Sequence, residues 1–583
     1  MDPRLKLIVK GNPNEELHLL MRLKDKNVIP PHIKLISQFG DIISCRILRK
    51  YLMVVYDHVA TRSLKAPQVI PLNNYSSDIN DASEYSNFAG KPRVISKRKS
   101  NVVFGIIDFG FDFTHPDFFD PLGNTRFEKI WAQPLKNKTP NKYGYGQVFT
   151  QKQIDHALDT ATPFRTLGYH PGRGDLLGRG MHGTHVLGIA AATGNVGKKG
   201  HAGNSPIVAV DMGSNYVNGS DLSLGDSVKL IEGIDFILEQ AGDRPCVINM
   251  SLGGHGDAHT GQTLVELALN NALRERAGFA IVQSTGNYFK SKCHHSGKLL
   301  QDDENEIEWI FKKRDRTPNE MEIWYEAGDE FAVEIYNDDD EYIGGTEAFE
   351  DATLNFDGSK NGIIFHRKSE PNTGKNHINI ILAGSPASKR LVVKIIGSKI
   401  KNGRYHAYIE RDDRGQSHFH ESDVNTNHTI GSICNAPLTI TVGAYNQASQ
   451  GKELMSFSSA GPTLDHRTKP EIVAPGSKIP AARSASKFES YASGMLTKKS
   501  GSSMAAPFVA SLVAKILEQY PKINIYTLRH YLLKFCNPYR TENTTVKNKS
   551  GHGVINEKKL LLDLAKKKIQ HENTKILRKQ KLV

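Results

Sequence analysis

Cysteine is scarce in this 583-residue chain. Its five cysteines, Cys45, Cys246, Cys293, Cys434 and Cys536, are odd in number and widely spread. That argues against a disulfide framework and for reduced thiols. No apolar run reaches the 18 residues that suggest a membrane-crossing helix. The first ten residues alternate charged and apolar positions, without the apolar stretch and small-residue cleavage site of a secretory leader. These absences predict a cytoplasmic protein with no membrane partner. Neither CxxC nor HExxH occurs, so the spacings that hold zinc are missing and no metal site is predicted. No nucleic-acid-binding motif occurs either. The formal charge of +13 is modest at this length, and part of it lies in residues 558–583, which read as a solvated basic tail.

Three segments carry recognisable chemistry. Ser500-Gly501-Ser502-Ser503-Met504-Ala505-Ala506-Pro507 runs directly into an apolar helical pattern. A serine there meets unpaired N–H groups and the positive end of a helix dipole, an address suited to a nucleophile that generates an oxyanion. The apolar run Val102–Ile107 ends in Asp108-Phe109-Gly110 and reads as a buried parallel strand delivering a carboxylate at its C-terminal edge. Gly178–His185 places His182 after a glycine-rich loop, at the start of a small-residue helix. Each segment alone has an ordinary structural explanation: a helix cap, a turn, a surface histidine. Together they place Asp, His and Ser each at the mouth of its own element.

In that order the three segments resemble the subtilisin-like serine proteases, or subtilases (peptidase family S8). The resemblance implies that Asp108 orients the imidazole, that His182 acts as general base and then acid, and that Ser503 attacks the scissile carbonyl. Two further segments agree. Ala280–Asn287 resembles the family's oxyanion-hole segment, implying that the Asn287 amide donates to the oxyanion and that Ser284, Thr285 and Gly286 bind substrate. Val247–Gly254 resembles its substrate-binding strand, with Ser251, Leu252 and Gly253 bordering the substrate pockets. Phe109 departs from the pattern, standing where the family has a small hydroxyl residue. Ser502 replaces the commoner Thr, and Gly203 a Pro. The second histidine of His182-Gly183-Thr184-His185 is structural in the family. No cofactor is required by this chemistry. Structural calcium is compatible with the family, but no ligand loop for it is evident, and the acidic strings Asp302-Asp303-Glu304 and Asp338–Glu341 read as solvated hairpin tips.

The expected fold is α/β: a three-layer subtilisin-like core around a parallel sheet, an N-terminal α+β domain and an inserted all-β domain. Residues 1–75 resemble a subtilase propeptide. Their pattern predicts a strand at Leu5–Val9, a helix at Asn14–Lys26, strands at Ile33–Phe39 and Asp41–Ile47, a helix at Tyr51–His58 and a strand at Gln68–Leu72. Residues 76–98 read as a polar linker. The catalytic domain spans 99–297 and 427–565, followed by a basic tail at 566–583. Asn287 and Ser503 are far apart in sequence, and residues 298–426 between them read as a β-sandwich, jelly-roll-like, with a hairpin at Asn402-Gly403. Cys293-His294-His295 reads as loop packing. The function expected is a serine endopeptidase acting on protein or peptide substrates through a Ser503 acyl-enzyme. The alternatives are a regulatory or binding pseudoprotease on the same scaffold, or a subtilase-type exopeptidase or peptide cyclase.

Overall fold

A computed structural model describes residues 1–67, 99–175, 178–213, 226–312, 318–356, 359–384, 389–410, 417–487 and 494–567. The linker, the Gln68–Leu72 strand expectation and most of the basic tail lie outside them.

The buried run Val103–Asp108 is a central strand of a ten-stranded sheet, flanked in parallel by Cys246–Met250 and Ile207–Asp211. Phe279–Ser284 pairs in parallel with Cys246–Met250 on one side and Ile440–Tyr445 on the other. Every residue of these five strands is buried, which explains their continuous apolar sequence. The helices His182–Ala191 and Ser502–Gln519 pack against this sheet and each other, while Asp226–Ala241 and Leu264–Glu275 carry the N-terminal unit.

That unit is a four-stranded antiparallel sheet in the order Lys34–Phe39, Ile42–Leu48, Glu16–Leu23, Thr61–Lys65. Two expectations fail here. Pro3–Ile8 is a helix rather than a strand, because Asp2 caps it (Leu5 N–H to Asp2 Oδ1, 3.1 Å) and Pro3 starts it. Glu16–Leu23 is a strand rather than a helix. Leu17, Leu20, Met21 and Leu23 fit a helical face, but pairing on both edges decides for a central strand. The strand-turn-strand at 33–47 and a short helix, Leu52–Tyr56, form as expected.

The insertion is two antiparallel sheets of six and five strands facing each other across one apolar core. Met321, Ile323 and Tyr325 meet Phe331, Val333 and Ile335 there. The Asn402-Gly403 turn does not make a hairpin. Arg390–Lys399 lies in the five-stranded sheet and Arg404–Glu410 in the six-stranded one, so the turn crosses between sheets. Asp329 holds it by accepting from the N–H groups of Lys401, Asn402 and Gly403. His294 and His295 begin a strand, His294–Lys298, paired with Arg404–Glu410, and are not loop residues.

Candidate active site

The parallel sheet aims its carboxyl edge at one place. Asp108 is the last residue of its strand, and Oδ1 accepts from His182 Nδ1 at 2.6 Å, with both side chains sealed from solvent. Because a carboxylate can only accept, Nδ1 carries the proton and Nε2 is left as the basic face of the neutral ring. Backbone bonds lock His182 over the strand end. Gly183 N–H donates to the Phe109 carbonyl (2.9 Å) and Thr184 N–H to that of Gly110 (3.0 Å). A Cβ on Gly183 would come within 2.9 Å of the Phe111 ring, so the close docking needs glycine. Phe109 gives Asp108 Oδ1 a backbone N–H at 2.8 Å but no hydroxyl, and Asp108 Oδ2 has no partner among the described residues.

Ser503 is the second residue of its helix and is buried. Pro507 has no N–H to return to the Ser503 carbonyl, and the Ser251 hydroxyl donates to that carbonyl instead, at 3.2 Å. The Ser503 hydroxyl lies 3.5 Å from the Ser251 carbonyl. Asn287 follows the strand Phe279–Ser284 through Gly286 at φ +93°, where a side chain would strike the Tyr288 ring. Its Oδ1 accepts from both the backbone N–H and the hydroxyl of Ser502, each at 3.0 Å, which fixes which end of the amide can donate.

Thr285 donates its N–H to Val442 and accepts from Gly431 N–H, and the Ser502 hydroxyl lies 3.1 Å from the Gly286 carbonyl. Backbone on one side and the helix start on the other thus hold the segment Ser284–Gly286. The Gly253 carbonyl, expected to face substrate, accepts from the Tyr288 hydroxyl at 3.0 Å. Tyr288 was not legible as a site residue, since nothing in a lone tyrosine after Gly-Asn marks it. Lys499 was missed too. It is buried, and burial pushes its ammonium down to about 7. It donates to the Arg179 and Gly180 carbonyls (3.2 and 2.8 Å), tying the loop before His182 to the segment before Ser503. His185 faces the Ile479 and Thr497 carbonyls, and burial holds it neutral. Among the described residues no group of three or more His, Cys, Asp or Glu is placed to hold a metal ion.

An imidazole oriented by a carboxylate, a serine at a helix start and an amide with a directed N–H can together activate a hydroxyl and receive negative charge on a neighbouring oxygen.

The model of the Subtilase family matches residues 99–305 and 367–553, more than half of the chain. The serine protease AprX of Bacillus subtilis (strain 168) is 31% identical over 138 residues, 22% of this chain and 30% of that protein. Subtilisin of Bacillus pumilus is 36% identical over 101 residues, 17% of this chain and 30% of that protein. Each match thus spans about a third of the relative's length. The CspB protease of Clostridium perfringens shares the fold at 23% identity, with a TM-score of 0.66 over 80% of this chain and 95% of that structure.

Proposed function

The chain belongs to the subtilase family, and on that premise we propose that it is a serine endopeptidase hydrolysing protein or peptide substrates. Asp108, His182 and Ser503 form the triad, with Asn287 as oxyanion donor. The observation that carries the reading is the 2.6 Å contact of His182 with Asp108, in a pair closed to solvent at the end of the Val103–Asp108 strand. His182 Nε2 takes the Ser503 proton as Oγ attacks the carbonyl carbon. The oxyanion forms against the Ser503 N–H and Asn287 Nδ2. His182 then protonates the leaving amine, and water attacks the acyl-enzyme by the reverse path.

Ser251, Leu252 and Gly253 line the peptide's path opposite Ser284, Thr285 and Gly286. The insertion, which we read as a jelly-roll-like module, buttresses the loop beyond Gly253. Glu410 accepts from the N–H groups of His255 and Gly256, and Glu322 from that of Asp257. The N-terminal unit is an intramolecular inhibitor released by cutting in the linker. Its sheet rests on the helices Asp226–Ala241 and Leu264–Glu275, and its last described strand ends at Lys65 beside Asp257, 3.7 Å away. Five cysteines without a disulfide suit a reducing, cytoplasmic setting. No helix among the described residues is long and apolar enough to cross a membrane.

Expressing wild type and Ser503→Ala side by side tests the reading. Wild type reacts with a fluorophosphonate probe, makes internal cuts in a denatured protein and sheds its N-terminal unit. The Ala variant does none of these and stays at 64.7 kDa. A labelled Ala variant would move the nucleophile elsewhere. An unreactive, well-folded wild type would favour a binding role, and terminal trimming or cyclic products an exopeptidase or cyclase.

A further inference from the structure

The opposite edge of the central sheet borders a half-open pocket of about 500 Å³. Ser100, Arg126, Pro206 and Arg244 line it, and they lead into Val103–Asp108, Phe127–Ala132, Ile207–Asp211 and Cys246–Met250. Those strands run parallel, so the cavity lies at the strand ends away from Asp108. At 3.3 Å per residue that is about 15–20 Å from the triad.

The wall combines apolar surface with positive charge that makes no direct ion pair among the described residues. Phe119, Pro121 and Leu122 supply the first, and Leu122 is 86% exposed at the rim. The acidic groups present are already matched: Asp120 by Lys99 at 3.8 Å, and Glu128 by Arg244 at 2.8 Å. Arg126 and Lys199 have no carboxylate partner among the described residues. Arg126 is 7% exposed and directs its N–H groups to backbone carbonyls of Ala191 (2.6 Å), Ala202 (3.1 Å) and Ser205 (3.0 Å). Burial pushes its guanidinium down to about 9, outweighing the opposite effect of the nearby Asp117 and Asp120 carboxylates. Ser205 Oγ and Asn195 Oδ1, from two more lining residues, are buried with no hydrogen-bond partner among the described residues.

We propose that this cavity binds an amphipathic organic carboxylate at a site separate from the cleft. The apolar wall takes the hydrocarbon body. The carboxylate meets the charge of Arg126 and Lys199 and accepts from the Ser205 hydroxyl, while Asn195 Oδ1 accepts from a water held with it. The volume suits a small molecule rather than a peptide strand.

Calorimetric titration of the full-length Ser503→Ala protein with octanoate tests this independently of any peptidase activity. The expected result is saturable one-to-one binding that Lys199→Glu weakens about tenfold or more. Ser205→Ala weakens it less, and the uncharged octanamide binds less tightly than octanoate. Lys199 is exposed and unpaired, so its variant keeps the parent melting temperature, and Arg126 is left intact because it holds the surrounding backbone. Absence of saturable binding, equal binding of octanamide, or an affinity indifferent to Lys199→Glu would each overturn the proposal.

Discussion

Ser502 gives both its backbone N–H and its hydroxyl to Oδ1 of Asn287, each at 3.0 Å. The residue before the proposed nucleophile thereby sets the orientation of the amide proposed to receive the oxyanion. Asn287→Ala should lower kcat by about 10²–10³-fold with little change in KM, since the amide matters most once charge has reached the oxygen. Ser502→Ala keeps the backbone donor and loses about 1 kcal/mol of orienting hydrogen bond, or about fivefold in kcat. Steady-state kinetics on one peptide substrate compares them. A Ser502→Ala defect confined to KM would mean that Ser502 positions substrate instead.

Asp108→Ala should cost about 10⁴-fold in kcat. It removes the acceptor 2.6 Å from His182 Nδ1 and leaves the imidazolium that forms when His182 takes the Ser503 proton without a counter-charge. KM should stay within a few-fold of wild type, because the carboxylate does not touch substrate.

Arg46 of the N-terminal unit meets Glu232 of the underlying helix in a two-bond pair, at 2.7 and 2.9 Å, with both side chains buried. Arg46→Met leaves Glu232 as an uncompensated buried charge and should destabilise the full chain by about 3–5 kcal/mol. Adding Glu232→Leu should recover most of that, because the pair's attraction is largely offset by desolvation. Denaturant melts of Ser503→Ala carrying each change measure the difference. No recovery in the double variant would assign the loss to packing.

Acid should loosen the insertion from the catalytic core. His255, His259 and His428 meet the rings of His294, His406 and Tyr408, with His259 stacked on Tyr408 at 3.9 Å between ring centres, His294 stacked on His406 at 5.3 Å, and His255 and His428 edge-on to Tyr408 and His406. Burial pushes His259 down to about 4 and His406 to about 3, and holds His294 and His428 low as well. At these histidines the unfolded chain binds more protons than the folded one below pH 6.5, so their contribution to stability falls as pH drops from 6.5 towards 4. Asp257 and Glu266, whose carboxyls burial pushes up to about 7, contribute in the opposite direction. His259 alone accounts for about 3 kcal/mol over that window. Thermal melts should show the slope, and His259→Phe should flatten it. The same pH dependence in wild type and His259→Phe would contradict it.

The strands that deliver Asp108 and Asn287, and the helices that open at His182 and Ser503, were legible in sequence for one reason. Buried parallel strands need continuous apolar runs, and the turns at their ends need small residues, so Gly, Asp and Ser mark the edge where chemistry gathers. The N-terminal unit was read less well. Glu16–Leu23 carries a helical spacing of leucines, and only the neighbouring strands on both edges decide for extended backbone.

Sequence alone thus determined the family, the α/β core and the identity of the residues proposed for catalysis, because each depends on a short, locally encoded pattern. Tertiary structure decided what those residues lean on. Tyr288 on the Gly253 carbonyl, Lys499 on the loop before His182, Glu410 under the loop beyond Gly253 and the crossing of Asn402-Gly403 between sheets all join segments distant in the chain. Such contacts leave no periodicity behind. A single tyrosine, lysine or glutamate looks like any other until folding removes water from around it, and only then does its one hydrogen bond become obligatory.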